Sequence, residues 1–173
     1  DGPACSTVAE PPSIYDEAYT VGALQTGSDD IAFFSGRGPV TFDSSNRRKP
    51  DISAPGTNVR SSLPGNTYGN LSGTSMATPA VAGTVALLWS AVPALRGQVT
   101  VTEQILNDSA VHLDSTDCGS GGSPNNTFGY GRLDAKAALD RATELFGGVL
   151  TGTIVTGLGS PISCAQVSLD RDL

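Results

Sequence analysis

Gly73-Thr74-Ser75-Met76-Ala77-Thr78-Pro79-Ala80-Val81-Ala82-Gly83 opens the longest apolar stretch of the chain. From Ser75 to about Val92, the residues Met76, Ala77, Val81, Ala82, Val85, Ala86, Leu87, Leu88, Trp89 and Val92 leave no clear polar face. A helix that is apolar all round is a central, buried one. Pro93 blocks its continuation. Pro79 sits near the start, where a missing N–H costs least, although late for the first turn. Thr78, Pro79, Gly83 and Thr84 break the run, which is too short and too interrupted for a membrane span.

A serine at the start of such a helix has chemistry available to it. The hydroxyl is a weak nucleophile until a base removes its proton. At a helix N-terminus the backbone N–H has no intrahelical partner, and the positive end of the dipole favours developing negative charge. Ser75 could thus supply a nucleophile and an oxyanion donor together. Gly73 and Ala77 would keep its flanks small for an approaching carbonyl. The plainer reading is that Thr74 or Ser75 is only an N-cap. The spacing is not Gly-x-Ser-x-Gly, since Ala77 stands at the second glycine, which disfavours an α/β-hydrolase elbow.

Outward from this helix, residues 1–18 read as loop and 35–50 as turn-rich, punctuated by Gly36, Gly38, Pro39 and Pro50. Tyr19–Leu24 reads as a short buried strand, and Ile31–Phe34 as another candidate. Asp51–Ser53 and Val59–Ser61 are strand candidates on either side of Pro55-Gly56. A second helix is expected over Thr102–Ala110 with Glu103 in its first turn. A third is expected over Leu133–Phe146, where Leu133, Ala137, Ala138, Ala142 and Leu145 follow a 3.6 period and Gly147-Gly148 ends the run.

Three motifs occur in order: Phe34-Ser35-Gly36-Arg37-Gly38-Pro39, then Lys49-Pro50-Asp51-Ile52-Ser53-Ala54-Pro55-Gly56, then the Gly73–Gly83 segment. Together they resemble the C-terminal half of the subtilase family, over roughly residues 1–146. The resemblance implies an α/β fold of three-layer architecture with a mostly parallel sheet, present in its C-terminal part only. It implies a serine endopeptidase acting through an acyl-enzyme on Ser75, with Thr74 and Ser75 supporting the oxyanion. Ala9 and Glu10, in the segment Ser6–Pro11, would fall at the primary specificity pocket, Ala9 on its floor and Glu10 near its rim. A solvated loop carboxylate is an equal reading of Glu10. Ser72 and Gly73 would lie near the scissile bond.

The family's triad runs Asp, His, Ser in chain order. Its first two members, and the oxyanion Asn, are therefore expected upstream of Asp1. The one histidine, His112, follows Ser75 and has no His-Gly-Thr context. The expectation is a chain inactive by itself, working with the N-terminal half of the same domain. The alternative from another class is a non-catalytic binding or adhesion module on a subtilase-like scaffold. Upstream Asp-Ser/Thr-Gly and His-Gly-Thr motifs would separate the two.

Charge and cysteines narrow the partners. With 17 Asp+Glu against 10 Lys+Arg, nucleic acid and anionic membranes are poor partners. The basic cluster Arg47-Arg48-Lys49 reads as a solvated loop. Cys5, Cys118 and Cys164 lack CxxC spacing, so no zinc site is expected, and one disulfide with one odd cysteine is the reading. By resemblance to secreted subtilases, Cys5 and Cys118 would form that bridge, two unpaired loop thiols being the alternative. A secreted protein with a peptide or protein substrate follows from the resemblance. No cofactor is required for the chemistry, and structural calcium is left without assigned residues.

Beyond residue 148 the composition changes. Val149–Thr156 alternates β-branched residues with Gly and Thr, and Cys164–Leu169 reads as a second strand. Residues 1–148 are expected to be peptidase domain and 149–173 the start of an all-β domain. The latter segment resembles the opening of a carboxypeptidase-regulatory-like β-sandwich.

Overall fold

The computed structural model describes residues 2–147, so the expectations for 149–173, including Cys164, lie outside the described residues. It is a mixed α/β arrangement of four short strands and three α-helices: β1 (Val21–Leu24), β2 (Ile52–Pro55), β3 (Val59–Leu63), β4 (Thr67–Leu71), α1 (Thr74–Ala91), α2 (Val99–Ser109) and α3 (Ala135–Phe146). Short 3₁₀ turns follow at Pro93–Leu95 and Asp117–Gly119.

Strands β1 and β2 pair in parallel, Val21 opposite Ile52 through Leu24 opposite Pro55. All four β1 residues are buried, as expected for a strand covered on both faces. Gly22 is required here, because a Cβ would come within 2.7 Å of the Ser53 hydroxyl. The Ile31–Phe34 candidate does not become a strand. Ile31 makes a single bridge to Leu24, and the chain then turns so that Ser35, fully buried, accepts a hydrogen bond from the Ala23 amide at 3.0 Å. Tertiary satisfaction of that amide by a side chain wins over local strand propensity.

Strands β3 and β4 form a separate antiparallel hairpin. Its second strand is absent from the sequence reading, although Gly65 and Asn66 take positive φ in the connecting turn, a usual hairpin signal. The two sheets, each of two strands, are the regular β-structure among the described residues.

Helix α1 differs from expectation in its burial. Ala77, Val81, Thr84 and Leu88 form one buried stripe against β1, β2 and α3, while Leu87 is 60% exposed and Ala82, Gly83 and Ala86 are exposed. The helix is apolar on both sides, but the described residues cover only one. Trp89, on its flank, donates its indole N–H to the Thr102 hydroxyl of α2 at 3.0 Å.

Helix α2 begins at Val99, earlier than expected, so Glu103 falls outside its first turn. Burial, reinforced by the Asp51 charge, raises the Glu103 carboxyl above its usual range. Burial and Asp51 likewise push up the Tyr19 hydroxyl, which donates to Asn107 at 2.6 Å. Helix α3 starts after Asp134, whose carboxylate accepts from the Ala137 amide, a capping bond that sets the boundary beyond Leu133.

The basic cluster is not a solvated loop. Lys49 is 2% exposed and donates to the Ala18 carbonyl at 2.6 Å and the Asp51 carboxylate at 2.7 Å. Asp51 also accepts from the Thr20 amide at 2.6 Å. Arg47 bonds the Ile14 carbonyl and pairs with Asp43, and Arg48 stacks 4.5 Å from the Tyr130 ring centre. Lys49 can be buried because Asp51, half-buried and two residues on in sequence, pairs with its charge.

Candidate active site

Gly73 is the N-cap of α1, with extended backbone (φ 160°, ψ 162°) and no side-chain cap. Thr74 and Ser75 are the first two helical residues, so neither is the N-cap. Their amides have no intrahelical acceptor, which leaves two N–H groups at the positive end of an 18-residue helix. The Met76 amide bonds back to the Gly73 carbonyl at 3.0 Å, and the Thr78 hydroxyl to the Thr74 carbonyl at 3.0 Å. Ser75 is exposed, and no described residue hydrogen-bonds its hydroxyl.

Another motif positions this helix start. The Gly56 amide donates to Leu24 at the end of β1, and the Gly56 carbonyl accepts from the Gly73 amide. A Cβ at Gly56 would meet Ala23 Cβ at 2.7 Å and the Gly73 carbonyl at 2.8 Å. The steric demand for glycine thus falls on Gly56, whereas a Cβ at Gly73 would meet its nearest atom at 3.5 Å. Ala77 is fully buried and faces Gly56, so its small size serves packing rather than access to Ser75. Gly56 was missed as a site residue, although it ends the second motif.

Beside Thr74 opens a cavity of about 600 Å³. Val8, Ala9 and Glu10 line one side of it, Thr20 and Pro50 another. Thr74, Ala9 and Glu10 therefore meet at one place, although Thr74 lies 64 or more positions from the other two in sequence. Ser72 and Gly73 are not among the lining residues. Ser72 is exposed, and its hydroxyl accepts from the Asn58 amide at 2.8 Å. The Lys49–Asp51 pair ties Ala18 and Thr20 together behind Pro50, a support with no sequence signal beyond two opposite charges.

The loop that carries Ala9 is anchored by a disulfide between Cys5 and Cys118, with Cα atoms 5.2 Å apart. His112 lies exposed after α2 and makes no hydrogen bond to Ser75. Among the described residues, no group of three or more His, Cys, Asp or Glu is placed to hold a metal ion. Among them also, no helix is long and apolar enough to cross a membrane.

Comparison with known proteins adds the family. A profile of the subtilase family matches residues 2–131. Bacillopeptidase F of Bacillus subtilis (strain 168) is 41% identical over 137 residues, 79% of this chain and 9% of that protein. M-protease of Shouchella clausii (strain KSM-K16) is 39% identical over 127 residues, 73% of this chain and 28% of that protein. The halolysin-like extracellular serine protease Nep of Natrialba magadii is 34% identical over 74% of this chain and 20% of its own length. The chain thus spans well under a third of these relatives. Among solved structures, the Clostridium perfringens CspB protease superposes with a TM-score of 0.61 at 29% identity, covering 84% of this chain and 30% of that one. The patellamide maturation protease PatA superposes at 0.57 with 25% identity, covering 84% and 51%. On the profile match, these identities and the shared fold, the chain belongs to the subtilase family of serine proteases.

Proposed function

We propose that the chain is the nucleophile-bearing part of a secreted, subtilisin-type serine endopeptidase. The observation that carries this reading is an exposed Ser75, without a described hydrogen-bond partner, at the second position of α1 and next in sequence to Thr74, which lines the cavity. A base from the rest of the peptidase domain takes the Ser75 proton, and Oγ attacks the peptide carbonyl. The Ser75 amide, with help from the Thr74 hydroxyl, receives the charge that develops on the carbonyl oxygen. The leaving amine takes up the proton, and water then hydrolyses the acyl-enzyme. The cavity receives the substrate side chain, with Ala9 and Glu10 facing it and Ser72 and Gly73 near the scissile bond.

The histidine, its orienting aspartate and an oxyanion asparagine are supplied outside these residues, and the chain alone is inactive. The same partner segment completes a three-layer α/β architecture with a mostly parallel sheet, and covers the bare side of α1 at Leu87. Residues 149–173 open an all-β, carboxypeptidase-regulatory-like domain.

The test is hydrolysis of an unfolded protein substrate by the intact protein, with its Ser75→Ala variant and fluorophosphonate labelling alongside. Activity and labelling that both vanish in the variant are expected. An intact, folded protein with a histidine and an aspartate upstream that neither cleaves nor labels would favour a binding or adhesion module.

A further inference from the structure

The loop that forms one wall of the cavity, residues 5–10, has no helix or strand of its own. It is held at its back by hydrogen bonds to the first motif. The Thr7 and Val8 amides both donate to the Arg37 carbonyl, at 2.8 and 3.3 Å, and the Ser6 amide donates to Gly38 at 3.0 Å. The Arg37 amide returns a bond to the Thr7 hydroxyl at 3.0 Å. The Arg37 guanidinium reaches Asp117 at 3.5 Å, and the next residue, Cys118, is bonded to Cys5. The result is a closed ring: Cys5, the wall, Arg37, Asp117, Cys118 and back to Cys5.

The far side of this ring is fixed. Asn126 donates to the Cys118 carbonyl at 3.0 Å, and the Gly38 amide donates to the Asn126 carbonyl at 2.9 Å. Asn125, 1% exposed, holds the carbonyls of Leu113 and Gly122, both at 2.7 Å. The two backbone positions at the join are left-handed, Ser6 at φ 59° and Cys118 at φ 55°. Residues with a side chain leave that region unless their surroundings hold them. Here the covalent bridge runs through Cys118 itself and through Cys5, the neighbour of Ser6.

We propose that the Cys5–Cys118 bridge and Arg37 are positioning elements for the substrate cavity. They set how firmly Ala9 and Glu10 stand at its edge, and so govern substrate affinity while leaving the chemistry at Ser75 to other groups. This rests on reading the cavity as the substrate site. Reduction by a dithiol, which gives up two electrons and two protons to make two thiols and is itself oxidised to a disulfide, would loosen the wall from one end.

The test uses the intact peptidase with Cys5→Ser, Cys118→Ser and the double variant. KM for peptide substrates should rise about tenfold, with kcat within about twofold, and the double should match the singles, because all three remove one bond. At exchange times short against global unfolding, amide hydrogen exchange in residues 5–10 should accelerate about tenfold with β1 and α1 unchanged, because a loss of global stability reaches β1 and α1 only at longer times. Arg37→Met should move both readouts the same way to a smaller extent, and brief reduction of the folded wild type serves if the cysteine variants do not fold. Unchanged exchange in 5–10, or equal acceleration across β1 and α1, would overturn the proposal and leave the bridge a general staple. An intact protein without activity would overturn the peptidase reading, with the exchange pattern still deciding whether the wall is clamped.

Discussion

The Gly73 amide donates to the Gly56 carbonyl at 2.8 Å, which ties the turn after β2 to the N-cap of the helix that carries Ser75. The bond is short-range in space and 17 positions apart in sequence. It makes the placement of Ser75 depend on a backbone atom of the second motif.

Gly56→Ala should therefore damage both stability and catalysis. Its Cβ would overlap Ala23 and the Gly73 carbonyl, and Ala77 would stand only 3.2 Å away. Crowding of this kind costs about 1–3 kcal/mol. Urea unfolding of the intact domain should show that loss, and kcat should fall further than Gly73→Ala makes it fall.

Ser75→Ala should leave the fold intact, since the side chain is exposed and makes no hydrogen bond. In the intact peptidase, kcat should drop by about 10⁶, the scale for losing the nucleophile of a Ser-His-Asp centre. Paired thermal melts and hydrolysis assays check the two halves of this statement separately.

The bridge between Cys5 and Cys118 spans 113 positions. Its removal by Cys118→Ser should lower stability by about 2–5 kcal/mol, through a less constrained unfolded chain. Denaturation with and without a reductant should show wild type falling to the level of the variant when reduced.

Lys49→Met should be destabilising by about 3 kcal/mol, because it leaves the Asp51 carboxylate facing a buried site with the Thr20 amide as its remaining described partner. Chemical unfolding curves of wild type and variant measure it. A joint Lys49→Met, Asp51→Asn change should recover part of the loss.

Glu103 gives a pH dependence with a definite sign. Its carboxyl is raised by burial and by Asp51, so the folded state holds its proton more tightly than the unfolded chain does. That contribution to stability is complete below the unfolded glutamate range and is lost as pH rises through the raised folded value. Glu103→Gln should then raise the melting temperature near neutral pH and change it little in acid. Melting curves of both proteins across that range decide it.

The elements read best from sequence were those whose packing follows local pattern. The Tyr19–Leu24 strand, the long helix after Ser75 and the α3 periodicity all depend on apolar residues at regular spacing. The failures share a different cause. Ile31–Phe34 carries strand-type residues, but the buried Ser35 hydroxyl takes the Ala23 amide. Lys49 looks solvated until Asp51 and the Ala18 carbonyl are brought to it. Ala77 looked like clearance for a substrate and is instead the partner of Gly56. At the candidate site, residues 6–10 of the first segment and Thr74 of the third motif line one cavity. What the motif could not convey is that Ser72 is occupied with the Asn58 amide, or that α1 presents an uncovered apolar side at Leu87.

Trp89 is the one tryptophan of the chain, and its indole N–H is held by Thr102 across the junction of α1 and α2. Its emission is therefore an intrinsic optical reporter on the helix that carries Ser75. When α1 separates from α2, the indole exchanges a hydroxyl partner for water and its fluorescence should shift to the red. No label has to be attached, and no turnover is needed, to watch that helix seat itself during folding or assembly.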